Sequence, residues 1–109
     1  MKIKVLLATS VIAAACQASP ALAGPATCYT TDDGEYGCQF YAATDGSGSF
    51  EITGEGKPWF SLVIESRGVA FGYADYGSGS VALPGMFYRS EEDGACWVND
   101  TTDFEICAW

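Results

Sequence analysis

The sequence predicts an all-β domain: a small antiparallel meander of about seven or eight strands, closed into a barrel or sandwich and stapled by two disulfides. Three observations carry that expectation. From residue 24 onward, apolar residues come in short runs of Phe, Tyr, Trp, Val and Ile, cut by clusters of Gly, Asp and Ser. No stretch there sustains the roughly 3.6-residue apolar period of a helix. Four cysteines, Cys28, Cys38, Cys96 and Cys107, stand as two pairs, ten and eleven residues apart.

The residues before this domain, 1–23, read as an export leader. Lys2 and Lys4 form a basic start, Val5 to Ala15 an apolar stretch, and Ala21-Leu22-Ala23 a small-x-small cleavage site, so the mature domain is expected over 24–109. The apolar stretch is shorter than the about 20 residues a bilayer span needs, and nothing later is long and apolar enough, so no membrane span is expected. A second processing route is legible at Ala13 to Cys16, where Ala-Ala-Ala-Cys is similar to a lipoprotein box that would leave Cys16 as a lipid-anchored first residue. Both routes lead out of the cytoplasm, to a periplasmic or secreted protein.

Each strand has a local reason. Thr27 to Thr31 and Tyr36 to Ala42 alternate around Asp32-Asp33-Gly34, a three-residue hairpin loop with glycine in the left-handed position. Partners then sum to 66, which sets Cys28 opposite Cys38. Thr44 to Gly48 reverses the chain into Ser49 to Thr53, and Gly54 to Lys57 reverses it again before Pro58, which lacks a ladder donor. Trp59 to Ser66 is the most apolar strand and is expected near the centre, with Phe60, Leu62 and Ile64 on one face and Trp59, Ser61, Val63 and Glu65 on the other. Arg67-Gly68 leaves room only for an antiparallel return into Val69 to Tyr73. Val81 to Leu83, Ala95 to Asn99 and Phe104 to Ala108 complete the set. If Asp100 to Asp103 turns the last hairpin, partners sum to 203 and Cys96 meets Cys107.

Both registers bring Cα atoms within disulfide reach, so Cys28–Cys38 and Cys96–Cys107 are the expected bonds. Linking the two ends of the domain instead would close longer loops and gain more entropy, so register alone favours the neighbouring pairs. Two staples suit a domain of this length, which buries only about 60 to 65% of its unfolded surface.

Composition narrows the function. All 14 acidic residues follow Gly24, whereas Lys2 and Lys4 leave with the leader, so the net charge moves from −9 to 3 minus 14, or −11. Such a surface repels phosphate, and no nucleic-acid partner is expected. A basic protein, a neutral ligand such as a glycan, or a cation is favoured instead. The chain has no His, which removes Ser-His-Asp and Cys-His arrangements and the commonest zinc ligand. The cysteine spacing on strands is that of structural disulfides, not of a Cys-x-x-Cys redox motif. Carboxylates suited to acid and base work on glycosides exist in Glu91, Glu92, Asp93, Asp100 and Asp103, but a small barrel has little room for a substrate cleft. The expectation is a non-enzyme, with no catalytic residues and no cofactor.

Oxygen-rich turns at Thr44 to Glu51 and Asn99 to Glu105 offer calcium ligands, but Phe50 stands where an EF-hand loop needs glycine, so both are read as turns and no metal site is assigned. The Asn99-Asp100-Thr101 sequon is read as accidental. All 15 aromatic residues lie after the leader, too many for one small core. Exposed Tyr and Trp beside Gly-Ser loops make adaptable contact surfaces. The expected interaction edge joins Tyr73, Tyr76, Ser78, Gly79, Tyr88, Arg89 and Trp109.

Two likenesses follow. The Asp45 to Phe50 turn (DGSGSF) and the Tyr88 to Trp109 ending (YRS, ACWV, CAW) resemble a type of small uncharacterised secreted bacterial protein, which brings no activity with it. Size, compartment and acidity resemble the periplasmic lysozyme inhibitors of the MliC type, disulfide-bearing β-barrels that insert a Ser-Gly-x-x-Tyr loop into the lysozyme cleft. Here Ser78-Gly79-Ser80-Val81 is followed by Ala82 where that loop has Tyr. The resemblance implies an exported inhibitor or interaction protein; a glycan-binding or small-ligand domain is the alternative, and a structural envelope protein the third.

Overall fold

The computed structural model describes residues 22–109, with the backbone alone at Leu22. The expected leader, with Cys16 and its lipoprotein box, lies outside the described residues except for Leu22 and Ala23, which pair with Ala42 and Tyr41.

Alternation decides which way each strand faces. In β4 (Trp59–Ser66) Phe60 and Leu62 are buried while Trp59 and Val63 are exposed, as the pattern predicts. The same parity runs through β1 (Leu22–Thr30), β2 (Gly34–Ala42), β3 (Phe50–Thr53) and β5 (Val69–Asp75), which send Cys28, Cys38, Phe50, Ile52, Ala70 and Ala74 inward. β6 (Ser80–Ala82), β7 (Phe87–Arg89), β8 (Cys96–Asn99) and β9 (Glu105–Ala108) finish the chain. Strands β1, β2, β3, β4, β5, β7, β8 and β9 follow one another around an eight-stranded antiparallel barrel, closed where β9 pairs with β1. β6 lies on the same edge of β5 as β7, opposite Tyr73 to Asp75, while β7 pairs lower down with Val69 and Ala70.

Two local expectations are corrected. First, Phe87–Arg89 is a strand, not part of a free edge; it joins β5 to β8, and Phe87 is fully buried. Its ring rests on Gly72, where a Cβ would collide with it, so only glycine lets β5 and β7 close the ring there. Second, partners in the first hairpin sum to 64: Cys28 faces Tyr36 and Cys38 faces Ala26. The loop is Thr31 to Asp33, one residue earlier than expected, and Gly34 re-enters β2 at φ 71°. Thr30 causes this shift: its Oγ1 accepts the Asp33 amide at 3.0 Å and donates to Asp33 Oδ2 at 3.0 Å, which tightens the turn around those two residues. A displacement of two preserves every side chain's face, so Cys28 and Cys38 still bond, diagonally, with Cα atoms 5.9 Å apart. Cys96 and Cys107, on the face opposite Trp97 and Ile106, are also buried, at 4% and 3% exposed.

The last hairpin has the predicted register. Cys96 faces Cys107, Trp97 faces Ile106 and Val98 faces Glu105, and the disulfide joins Cα atoms 4.0 Å apart. Among the described residues no helix is long and apolar enough to cross a membrane. The two disulfides are consistent with an oxidising extracellular or periplasmic location.

Candidate functional site

In an up-and-down meander, alternate turns gather at the same end of the barrel. Thr31 to Asp33, Gly54 to Pro58, Tyr76 to Gly79 and Asp100 to Phe104 therefore share one end, the mouth. Ala43 to Ser49, Arg67-Gly68 and Ser90 to Ala95 share the other. A cleft of about 340 Å³ opens at the mouth, with Leu83, Phe87 and Phe104 in its apolar floor, Tyr76 on its wall and Asp32 and Asp103 at its rim.

Aromatic packing holds the floor in place. Phe104 lies 5.7 Å from Phe60 and 6.5 Å from Phe87 between ring centroids, and Tyr76 meets Phe60 edge-on at 6.5 Å. The two rim carboxylates sit on turns that Thr31 sews together: its Oγ1 accepts the Glu105 amide at 2.8 Å and donates to the Asp103 carbonyl at 3.4 Å, and its own amide donates to the Glu105 carbonyl at 3.2 Å. Asn99 organises the far side. Its Oδ1 accepts the amides of Thr101 and Thr102, both at 2.8 Å, while its Nδ2 donates to the Pro84 carbonyl at 2.7 Å. That amide is buried and bonded, so the sequon reads here as a turn device.

Charge at the mouth is one-sided. The one ion pair among the described residues joins Lys57 to Asp33 at 3.9 Å, with the Lys57 ammonium also 5.4 Å from the Tyr36 ring, so neither Asp32 nor Asp103 has a cation partner. Burial, followed by the Asp33 charge, raises the Tyr36 phenol above its ordinary pKa. An apolar pit rimmed by two uncompensated carboxylates suits a guest with an apolar stem and a positive tip.

The expected interaction edge divides between the two ends. Tyr76, Ser78 and Gly79 belong to the β5–β6 turn at the mouth, where Asp75 Oδ1 accepts the amides of Gly77 at 2.7 Å and Gly79 at 3.2 Å. Tyr73 and Tyr88 stand on the outer wall, Tyr73 half-buried and Tyr88 exposed. Arg89 and Trp109 lie at the opposite end: the guanidinium sits 4.5 Å from the Trp97 ring and donates to the Gly94 carbonyl at 2.8 Å, and the Trp109 indole donates to Asp93 at 2.9 Å. Those seven residues do not form one surface.

Nor do the five carboxylates weighed for glycoside chemistry converge, since Glu91, Glu92 and Asp93 are in the Ser90 to Ala95 turn and Asp100 and Asp103 at the mouth. Asp93 and Asp100 serve as turn acceptors. The amide of Ala95, then the Trp109 indole, holds the Asp93 carboxyl below its ordinary range, and the Met86 amide, then the Thr101 hydroxyl, does the same for Asp100. Asp45 is likewise lowered, by the Ser47 hydroxyl and then its amide. Cys96, Glu105 and Cys107 are the one close group of three potential metal donors among the described residues, and its two sulfurs are bonded to each other. Compared with protein families, curated proteins and solved structures, the chain has no significant match.

Leu83, Phe87, Phe104, Asp32 and Asp103 were not among the residues of the expected interaction edge, and Asp103 was weighed only as an acid or base and as a turn oxygen. The alternation of turns in a meander was the signal that groups them, and it becomes usable only once β6 and β7 are recognised as sharing one edge.

Proposed function

We propose that this protein is an exported, non-enzymatic binding module that uses the barrel mouth to hold a lysine or arginine side chain of a basic protein partner. The observation that carries this reading is the pairing of an apolar pit with the unpartnered carboxylates of Asp32 and Asp103. Long-range attraction supports it, because the chain after residue 23 carries −11 and would steer a cationic partner from a distance. Tyr76 supplies an exposed ring against which an alkyl stem or guanidinium can pack. A basic hydrolase of the lysozyme class is the partner type that the resemblance of size, acidity and disulfides suggests, and blocking such an enzyme would be the consequence of binding.

The test is calorimetric titration with a c-type lysozyme and with a lysine-rich peptide. Micromolar or tighter affinity is expected, falling by about tenfold or more between about 50 and 500 mM salt, since exposed charges are screened over that range. Replacing Asp32 and Asp103 together by Asn should weaken binding by about tenfold or more, at roughly 1 kcal/mol for each rim charge. Absence of binding to both probes at about 100 μM, an affinity of only about 5 kcal/mol, would remove the proposal.

A further inference from the structure

A second surface lies outside the barrel, on the wall made by β2, β3, β4 and β5. Register sets two neighbouring rungs there. Tyr41, Glu51, Ser61 and Tyr73 stand side by side across the four strands. Trp59 and Asp75 form the rung nearer the mouth, continued by Ser80 on β6.

Trp59 leans diagonally onto Tyr41, with ring centroids 5.5 Å apart and planes within 25°. One indole face is thereby packed, yet the side chain stays 42% exposed. The same ring walls two adjoining clefts. One, of about 260 Å³, is shared with Glu51, Ser61, Asp75 and Ser80; the other, of about 470 Å³, runs toward Lys57 and the β5–β6 turn. Trp59 is therefore the raised middle of an open trough, with hydrogen-bonding groups on both sides.

Those groups are oriented by the fold and only partly used. Ser61 donates to Glu51 Oε2 at 3.3 Å, which leaves Oε1 without a partner among the described residues. Asp75 accepts the two glycine amides through Oδ1 alone, which fixes its carboxylate and leaves Oδ2 open. A ligand here must offer a flat apolar face to the indole and donors beside it. Phosphate, sulfate and other anions are repelled by the two carboxylates. A pyranose ring meets both demands, since its C–H face stacks on an aromatic ring while its hydroxyls donate laterally.

We propose that this trough binds a neutral oligosaccharide, with one pyranose stacked on Trp59 and neighbouring hydroxyls donating to Glu51 and Asp75. The stacking site itself, Trp59 with Glu51, Ser61 and Asp75, shares no side chain with the mouth cleft; only Tyr76, at the far end of the larger cleft, lines both.

Three indole N–H signals make the test direct, because Trp97 is buried and Trp109 lies at the other end of the barrel. Nitrogen-15 spectra of the whole protein are recorded during titration with neutral cello-, malto- and chito-oligosaccharides. At least one should shift the Trp59 indole signal saturably at about millimolar sugar and leave those of Trp97 and Trp109 in place. Affinity should change by less than about twofold between low and high salt, as no ion pair is formed. By calorimetry, Trp59→Ala should weaken binding by about tenfold or more and Trp59→Tyr by about threefold, because a smaller aromatic face remains. Neither variant should alter lysozyme or peptide binding at the mouth. The proposal is overturned if no sugar moves the Trp59 signal at about 10 mM. It is equally overturned if only the lysine-rich peptide moves that signal and salt abolishes the effect, which would make the trough a protein contact.

Discussion

The first and last hairpins carry the same covalent device to different ends. Each closes a loop of about ten residues, a constraint worth very roughly 2 to 3 kcal/mol. Cys28–Cys38 points into the barrel and belongs to the core cluster with Ile52, Phe60 and Phe87. Cys96–Cys107 is just as hidden but lies on the opposite face, outside that cluster, beside Glu105. One disulfide therefore packs the interior as well as tethering the chain, whereas the other fastens β9, the strand that closes the ring against β1. Their turns differ as well. Thr30 and Asp33 bond each other side chain to side chain and pull the first loop back by a residue. In the last hairpin the Asn99 side chain caps two turn amides while the Asn99 backbone N–H donates to the Phe104 carbonyl at 2.9 Å, which keeps the pairing the turn length implies.

Breaking each clamp is the strongest way to test that contrast. Replacing both Cys28 and Cys38 by Ala should lower stability by about 4 to 5 kcal/mol, the loop constraint plus the cavity left in the core. The Cys96, Cys107 double Ala variant should lose only about 2 to 3 kcal/mol. Denaturant midpoints measure both, and equal losses would show that core membership adds nothing.

The turns come next in size. Asn99→Ala removes a buried side chain that satisfies two amides and a carbonyl, so a loss of about 2 kcal/mol is expected. Thr30→Val keeps the volume and deletes the hydroxyl, for about 1 kcal/mol. The variant should also loosen the Thr31 to Asp33 loop, visible as faster amide exchange at Asp33. A larger effect at Thr30 than at Asn99 would reverse the ranking of the two turns.

Acid gives the smallest effect and should act on the last hairpin and its neighbours. Asp93 and Asp100 have carboxyls lowered by the hydrogen bonds they accept. A lowered native pKa stabilises above the ordinary carboxylate range, near pH 4, and that contribution is lost as pH falls through the lowered value. The Trp109 indole signal, bonded to Asp93, should therefore move only below about pH 4. Movement in step with an unperturbed carboxylate would remove this link between the turn and the C-terminus.

Much of the fold was legible because local rules agreed. The alternation in Trp59 to Ser66, the short Arg67-Gly68 return and the symmetric Asp100 to Asp103 turn each point to one pairing, and each pairing is present. Phe87–Arg89 was hidden because three residues between Pro84-Gly85 and an acidic turn give no alternating run long enough to read. Its status as a strand depends on partners on both sides, Val69 on β5 and Val98 on β8. The candidate sites were hidden for the same reason: Asp32 and Asp103 are more than 70 positions apart, and Tyr41 reaches Trp59 only across β3.

By itself the sequence determined what local chemistry decides: most strands from alternation, turns to within a residue from Gly, Asp and Asn, the pairing of nearby cysteines, and a strongly acidic charge. Tertiary structure alone decided which turns share a barrel end, that β7 closes the ring over Gly72, and that Trp59 stands between two clefts. These depend on ring closure, which brings together residues whose own neighbourhoods carry no record of one another.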